Sequence, residues 1–330
     1  MTDRAARRRG FLDGAGWAGA DCRCLAGDAS DRRYDRVTLG GRSAVLMDAP
    51  PGKGDDPADF LSIAGHLRRI GLSAPECYAM DLQQGFLLLE DLGDGLFARL
   101  AAADPAREAP LYAAATDVLR HLQAHPAPPG LPDLSAADWA QAAAFAFDWY
   151  RFAVTGDKMD TRPFCATLQD LVSRHADGPR VMILRDFHAE NLLWLPGRQG
   201  MARVGLLDFQ LAQMGQPVYD LVSLLQDARR DVLPATEAQM VAQVDPSAAF
   251  ARSYAVWGLQ RALRIIGVFA RLCLVAGKPG YLPMIPRVWG QMHRNLAHPA
   301  LADLRPLCAL LPVPDPATLA KIGGQCGAFR

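Results

Sequence analysis

The sequence has no excess of either charge and no long apolar run free of charged residues. Its 330 residues include 35 lysines and arginines and 35 aspartates and glutamates, so no net positive charge indicates a nucleic-acid partner. The longest apolar stretch with helical spacing, residues 254–276, contains three arginines, which argues against a membrane span. We expect a soluble, cytoplasmic protein that partners neither nucleic acid nor membrane, and the sequence leaves its oligomeric state open.

Closely spaced cysteines are also scarce. The seven cysteines lie at positions 22, 24, 77, 165, 273, 308 and 326. Cys22 and Cys24 form the only close pair, and neither has a histidine or cysteine neighbour at the spacing of a zinc site. We therefore expect reduced thiols, as is usual for a cytosolic enzyme.

The N-terminus lacks the features of a secretion signal. It carries four arginines between positions 4 and 9, and the segment 11–20 that follows contains Asp13 and three glycines. A signal peptide has an uninterrupted apolar segment in this place. We expect a frayed and solvated terminus instead.

The spacing of apolar residues changes near residue 91. Before that point it predicts strands at residues 22–25, 33–39, 43–47 and 86–89. After it, the spacing predicts helices at residues 96–102, 111–125, 136–154 and 164–175. A helix is also predicted over residues 57–70, and short strands are predicted within residues 181–207. We therefore expect an α+β protein with a strand-rich first lobe, residues 1–91, and a mostly helical second lobe, residues 92–330.

One segment and the hairpin that follows it carry the candidate chemistry. Residues 185–191 read R-D-F-H-A-E-N, and the turn-forming segment P-G-R-Q-G at 196–200 predicts a β-hairpin between two apolar runs. If the hairpin is centred between residues 199 and 200, Asn191 and Asp208 face each other at its open end. An amide oxygen and a carboxylate are ligands suited to Mg²⁺.

Asp186 completes this candidate site. It lies five residues before Asn191, on the loop that leads into the hairpin, and it can accept a proton from an attacking hydroxyl. A base beside a cation is the arrangement that phosphoryl transfer needs. The alternative is that Asp186 caps a turn and that Asp208 is an ordinary carboxylate at a strand end.

The segment 184–208 resembles the catalytic and metal-binding loops of protein kinase-like small-molecule kinases. It is most similar to the family of aminoglycoside phosphotransferases and choline kinases. The resemblance implies a two-lobed protein kinase-like fold, with a small antiparallel sheet in the first lobe and a mostly helical second lobe. It also implies an ATP-dependent kinase that transfers phosphate to an alcohol group, with Asp186 as the base and Asn191 and Asp208 as ligands of Mg²⁺.

The same resemblance assigns further residues. It implies that residues 27–36 form the nucleotide-binding hairpin and that Glu90 and Leu92 contact the nucleotide at the hinge. It also implies that Asp220 is the helix-opening aspartate that braces the catalytic loop. His188 takes the place where many small-molecule kinases have histidine; the alternative is a loop histidine that only packs beside the site. The nucleotide contacts assigned to the hairpin are Gly27, Asp28, Ala29, Ser30 and Arg33.

The chain departs from the protein kinase pattern in one important respect. The third strand, residues 44–48, has no lysine, and the helix after Pro57 has no glutamate, so the ion pair that positions the phosphates is missing. Arg33 is the candidate substitute because an arginine binds phosphate bidentately, and strand alternation places it with Asp35. The alternatives are a solvated Arg33 with phosphate contacts from backbone N–H groups of the turn, or a pseudokinase that acts as an interaction partner.

Three further segments resemble one branch of the family. They are G-D-A-S-x-R-R-Y at 27–34, M-D-A-P-P at 47–51 and G-L-Q-R-x-L-R at 258–264. That branch phosphorylates the anomeric hydroxyl of N-acetylmuramate and N-acetylglucosamine in cell-wall recycling. The resemblance implies an amino-sugar kinase; an aminoglycoside, choline, homoserine or another small hydroxyl compound is the alternative acceptor.

The distribution of charge bears on the acceptor. From position 228 onward there are 12 lysines and arginines and 5 acidic residues. In kinase-like small-molecule enzymes the late helices form the wall of the acceptor site, so a basic wall disfavours a polycation and favours a neutral or anionic acceptor. Arg261 and Arg264 are the candidate substrate contacts, on one helical face with Arg271; the alternative is a solvated arginine stripe.

Overall fold

The computed structural model describes residues 2–27, 32–54 and 56–329. Three of the predicted nucleotide contacts lie outside the described residues: Asp28, Ala29 and Ser30.

The chain divides into two units by its internal packing. The first consists of Met1–Pro128 and Ala189–Ala212, and the second of Pro129–His188 and Gln213–Arg330. The predicted lobes, which meet at residue 91, are a different partition of the chain and stay a prediction.

An antiparallel sheet of five strands lies in the first unit, in the order β1-β2-β3-β5-β4. The four strands predicted early in the chain are all present. The fifth, β4, was not predicted, because it is an edge strand whose Tyr78 and Met80 are exposed. The strands are β1 Asp21–Gly27, β2 Arg33–Leu39, β3 Arg42–Asp48, β4 Cys77–Asp81 and β5 Phe86–Glu90.

In the described residues, the remaining strands form two short antiparallel pairs. In the second unit β6, Val181–Ile183, pairs with β9, Gln213–Gly215. In the first unit β7, Leu192–Trp194, pairs with β8, Val204–Leu206.

Helices make up most of the rest, so the predicted α+β composition is confirmed. Among the described residues, no helix combines the length and the apolar character needed to span a bilayer. The α-helices are α1 Thr2–Gly14, α2 Pro57–Arg69, α3 Phe97–Ala103, α4 Glu108–Gln123, α5 Ala136–Ala143, α6 Phe152–Thr155, α7 Arg162–His175, α8 Val218–Leu225, α9 Pro234–Val244, α10 Ala248–Ala276, α11 Ile285–Leu296, α12 Arg305–Cys308 and α13 Pro316–Gly323.

The N-terminus is helical, so the expectation of a frayed terminus is wrong. Helix α1 packs on one face of the sheet, where Leu12 joins a cluster that includes Val37 and Leu46. Near its start, Arg4 and Arg8 form ion pairs with carboxylates on β3 and β2. These contacts order the helix. Their partner residues lie 27 and 44 positions further along the chain, so the sequence near the N-terminus does not indicate them.

The second unit is organised around the 29-residue helix α10. A buried aromatic cluster joins it to α5 and α8: the ring centroid of Trp139 lies 4.9 Å from that of Tyr219 and 5.2 Å from that of Trp257. The predicted helix over residues 136–154 is interrupted by a π-helical segment, Ala146–Arg151. Gly267 of α10 faces the start of this segment, where an added Cβ would lie 2.2 Å from the carbonyl carbon of Phe145.

Candidate active site

The hairpin formed by β7 and β8 holds the two predicted metal ligands, but its register differs from the prediction by one residue. Leu192 is opposite Leu206, and the carbonyl oxygen of Asn191 accepts a hydrogen bond of 2.9 Å from the backbone N–H of Leu207. Asn191 therefore faces Leu207, and the predicted pairing of Asn191 with Asp208 is wrong. The turn is centred on Gln199, since its 3₁₀ segment Gly200–Arg203 shifts the centre by half a residue.

Asp208 follows Leu207 and lies just beyond the paired residues of the hairpin. Its backbone has an unusual conformation. Its φ of 54° lies in the left-handed region, which costs a non-glycine residue free energy and is often found at functional sites. The next residue, Phe209, is fully buried and stacks on Phe60 of α2 at 4.9 Å. The carboxylate itself accepts a hydrogen bond of 2.7 Å from the side chain of Gln210. These contacts fix the backbone and the side chain of Asp208 beside the end of β8.

The donor atoms of Asn191 and Asp208 fit a magnesium ion. Both offer oxygen, and Mg²⁺ bound with nucleotides commonly takes one or two protein oxygens and completes its shell with phosphate and water. In the described part of the chain, no group of three or more histidine, cysteine, aspartate or glutamate side chains could hold a metal. A metal held at this hairpin would therefore share its coordination with a ligand such as a nucleotide.

In the second unit, Asp220 fixes the backbone just before Asp186. The Asp220 carboxylate, in the first turn of α8, accepts hydrogen bonds from the backbone N–H groups of Leu184 at 2.6 Å and Arg185 at 2.9 Å. Arg185 has a φ of 71°, and its carbonyl oxygen accepts a hydrogen bond from the hydroxyl of Ser223 at 3.2 Å. The strained residue that precedes Asp186 is thus held on both sides by α8.

The charges around this loop are buried and interact with one another. Burial raises the pKa of the Asp220 carboxyl to about 7, and the nearby negative charge of Asp186 adds to that effect. The two N–H groups and the Arg261 guanidinium oppose it. Burial also lowers the pKa of Arg185 and of Arg261, and the charge of Asp186 acts in the opposite direction on both arginines. Asp186 therefore lies in a field set by two arginines and one buried carboxyl.

The predicted arginine stripe of α10 is divided among three environments. Arg261 is only 4% exposed, and its guanidinium donates to the Ser223 hydroxyl at 2.8 Å and to the carbonyl oxygen of Gln226 at 3.3 Å. Arg264 is partly buried. Arg271 is exposed and lies over the ring of Trp149 at 5.6 Å. The stripe is therefore not uniformly solvated, and Arg261 donates to Ser223, whose hydroxyl in turn donates to the backbone of Arg185.

His188 is buried, with 2% of its surface exposed. Burial lowers its pKa well below the usual value, and the positive charges of Arg229 and Arg261 act in the same direction. Its Nε2 lies 3.0 Å from Nη1 of Arg229, which can only donate, so the imidazole accepts this hydrogen bond in its neutral form. No sequence motif marks Arg229, which follows the helix α8 that carries Asp220.

The described part of the hairpin predicted to bind nucleotide has Arg33 and Asp35 on the same face of β2, as strand alternation predicts. The Nε and Nη2 atoms of Arg33 donate to Oδ1 of Asp35 at 3.0 and 2.9 Å. This is the face that α1 covers. The other face carries Tyr34 opposite Met47, and Met47 stands on the strand where protein kinases have their lysine.

The residues predicted to form the hinge, Glu90 and Leu92, lie at and just beyond the end of β5. The Glu90 carboxylate forms ion pairs with Arg198 and Arg68, and its backbone N–H donates to the carbonyl oxygen of Glu76 at 2.7 Å. Leu92 is partly buried. Sequence reasoning missed Arg36, which pairs with Asp91 just beyond β5 at 2.7 Å.

The predicted site residues are thus divided between the two units. The first unit holds Gly27, Arg33, Glu90, Leu92, Asn191 and Asp208, and the second holds Asp186, His188, Asp220, Arg261 and Arg264.

Comparison with known proteins identifies the class. The profile of the phosphotransferase enzyme family matches residues 21–256. The N-acetylmuramate/N-acetylglucosamine kinase of Caulobacter vibrioides is 36% identical, over 92% of this chain and 95% of that protein. The protein of the same name from Pseudomonas aeruginosa is 35% identical, over 86% and 87%. A solved choline/ethanolamine kinase family protein from Mesorhizobium loti has a TM-score of 0.62 at 15% identity, covering 97% of this chain and 99% of that one.

The chain belongs to the phosphotransferase enzyme family. It has the α+β protein kinase-like fold, and it is an ATP-dependent kinase. The predictions of family, fold class and enzyme class are confirmed, as is the resemblance to the amino-sugar kinase branch.

Proposed function

We propose that this kinase transfers the γ-phosphate of ATP to the anomeric hydroxyl of an amino sugar of the N-acetylmuramate or N-acetylglucosamine type. The observation that carries the proposal is the 36% identity, over nearly the whole length, to a kinase named for these two sugars. A cytoplasmic location and a role in cell-wall recycling belong to the same proposal.

Asp186 is the base in this proposal. The proton of the acceptor hydroxyl moves to its carboxylate as the hydroxyl oxygen bonds to the γ-phosphorus and the bond from that phosphorus to the β,γ-bridging oxygen breaks, so that ADP leaves. What supports the assignment is the way the preceding backbone is held by Asp220 and Ser223. A base must be fixed within about an ångström to be effective, and this loop has the contacts to do so.

Asn191 and Asp208 would hold Mg²⁺. The metal, when bound, neutralises charge on the phosphates. The support is the chemistry of the two donors and the fixed backbone of Asp208. His188 is buried and accepts a hydrogen bond from Arg229, and we assign it the role of positioning the catalytic loop, since the remaining N–H of a neutral imidazole is too weak an acid to protonate a reacting group.

ATP would be bound by the hairpin and the hinge. In this proposal the backbone N–H groups of residues 27–30 would bind the phosphates, and the backbone near Glu90 and Leu92 would bind the adenine ring. The Glu90 side chain is engaged by two arginines, which leaves its backbone carbonyl oxygen as the group for a nucleotide contact. Arg33 belongs to the same hairpin, where Asp35 holds its guanidinium.

The acceptor would be neutral or anionic because the residues from 228 onward are strongly basic. Arg264 is partly buried and is the better candidate for a direct contact with the sugar. Arg261 is occupied by Ser223 and Gln226, so its contribution is to hold this region and to supply positive potential.

The test is an acceptor panel with Mg·ATP. We expect ADP release with N-acetylmuramate and N-acetylglucosamine, and much less with choline, homoserine or an aminoglycoside. The matched control is the methyl glycoside of N-acetylglucosamine, whose anomeric oxygen is blocked; it should give no turnover. Turnover with the methyl glycoside would contradict the anomeric position, and turnover confined to choline or an aminoglycoside would contradict the substrate class.

A further inference from the structure

Helix α1 lies outside the segment that matches the family, residues 21–256, yet it reaches the strands of the nucleotide hairpin. Arg4 and Arg8 are four residues apart and therefore share one face of the helix. Nε and Nη2 of Arg4 donate to Oδ1 of Asp48 at 3.1 and 2.6 Å. Nη1 of Arg8 donates to Oδ2 of Asp35 at 2.6 Å.

These two carboxylates are the neighbours of Arg33. Asp35 follows Arg33 by two residues on the same face of β2, and Asp48 is directly opposite Arg33 in the register of β2 with β3. Both acidic residues are buried, whereas the Arg33 side chain is 54% exposed. The two oxygens of Asp35 are divided between two arginines: Oδ1 accepts from Arg33 and Oδ2 from Arg8.

This division has an energetic reason. A carboxylate that is fully removed from water is stable only when cations and hydrogen-bond donors compensate for the lost hydration. Asp35 has no exposed surface. The pair of arginines around it therefore links α1 to Arg33, the first residue of β2.

We propose that α1 is a positioning element for the ATP-binding hairpin and that Arg33 acts through Asp35 rather than on the phosphates. The proposal rests on the proposed function only in assigning ATP to this hairpin. Arg8, Asp35 and Arg33 fix the start of β2, and Arg4 fixes Asp48 at the end of the neighbouring strand.

The experiment is a double-mutant cycle on ATP affinity, measured by calorimetry with the full-length chain and Mg·ATP in the absence of sugar. Arg8→Gln and Arg33→Gln should each raise the Kd for ATP by about three- to tenfold, the effect of weakening one charged hydrogen bond. The double variant should have nearly the same Kd as either single variant, because both changes break one network. Arg9→Gln is the matched control, since Arg9 is exposed on the same helix, and it should leave the Kd unchanged.

A second measurement separates positioning from a loss of fold. The Kd for adenosine should be unchanged in all variants, because only the phosphate-binding end of the hairpin is displaced, and thermal denaturation identifies a temperature at which every variant is folded. Additive effects of Arg8→Gln and Arg33→Gln would mean that Arg33 binds phosphate independently, and the proposal would be wrong. An Arg8→Gln protein that binds ATP like the Arg9→Gln control would overturn it as well. Because no sugar is present, the outcome does not depend on the identity of the acceptor.

Discussion

Asp220 offers the sharpest test of how the catalytic loop is held. Its carboxylate is fully buried, and each of its oxygens accepts one backbone N–H, from Leu184 and from Arg185. The change Asp220→Asn keeps the shape of the side chain. It leaves one acceptor oxygen and sets an amide NH₂ against the second N–H group, so one of the two hydrogen bonds is lost.

The loss of that bond has consequences for activity and for stability. A buried N–H left without a partner costs about 1–3 kcal/mol. The backbone of Arg185 is already strained, with a φ of 71°, so the unbonded segment should relax away from this conformation. A shift of about 1 Å at Asp186 can reduce the rate by about 10²-fold. We expect kcat to fall by about 10- to 100-fold while the KM for ATP changes little, because the proposed nucleotide contacts lie on other segments of the chain.

The pH dependence of stability follows from the raised pKa of Asp220. Burial brings that pKa to about 7 in the folded chain, above the unfolded value of about 3.9. A group with a raised folded pKa contributes stability that is fully present below pH 4 and is lost as the pH rises through 7. The loss is at most about 4 kcal/mol, since each pKa unit corresponds to about 1.4 kcal/mol. The Asn side chain cannot ionise, so the Asp220→Asn variant should not show this loss.

The assay is urea denaturation of wild type and Asp220→Asn at several pH values between 4 and 8, with kcat measured in parallel. The free energy of unfolding of the wild type should fall relative to that of the variant as the pH rises. Comparing the two proteins removes the contribution of titrating groups that do not interact with Asp220. If the wild type instead gains stability relative to the variant over this range, the two N–H groups dominate over burial and the reasoning is refuted. Unchanged kcat in the variant would show that Asp186 does not depend on this brace.

The remaining predictions concern the base, the metal ligands and the hairpin. Asp186→Asn should lower kcat by about 10²-fold or more with ATP still bound; near-normal turnover would rule out Asp186 as the base. Asp208→Ala should remove the Mg²⁺ dependence of ATP binding in calorimetry, and Asn191→Ala should do so more weakly, since an amide is the poorer ligand; unchanged binding in both would eliminate this metal site. Arg33→Ala should weaken ATP binding by about three- to tenfold, as expected for Arg33→Gln; a loss of about 100-fold or more would restore Arg33 as the phosphate contact.

Features of the fold that depend on neighbouring residues could be predicted from the sequence. Strand alternation located β2 and β3, and the two glycines between them, both at positive φ, form the connection that the sequence indicates. The start of α2 could also be predicted, because Asp56 is a typical N-cap residue. It caps the helix by accepting a hydrogen bond from the backbone N–H of Ala58 at 2.8 Å. In each case the residues that decide the structure lie within a few positions of one another.

Features that depend on distant residues could not be predicted. Helix α1 is held by Arg4, whose partner Asp48 is 44 positions away. No residue pattern near the N-terminus indicates that contact. The register of β7 with β8 failed for a different reason: the 3₁₀ segment Gly200–Arg203 shifts the centre of the turn by half a residue, and turn length alone does not reveal this. The hydrogen bond between the buried His188 and the partly buried Arg229 joins two loops 41 positions apart.

The missing lysine of the third strand illustrates why counting charges is not enough to find a functional cation. The chain is rich in arginine, but most of the arginines near the candidate site are committed to specific acceptors. Arg33 is bound to Asp35, Arg198 to Glu90, and Arg261 to Ser223 and Gln226. A guanidinium held by a buried acceptor cannot move to a phosphate without leaving that acceptor buried and unpaired, which costs free energy. The substitute for the lysine is therefore to be sought by following each arginine to its partner, and that argument makes Arg33, held by Asp35, a poor candidate.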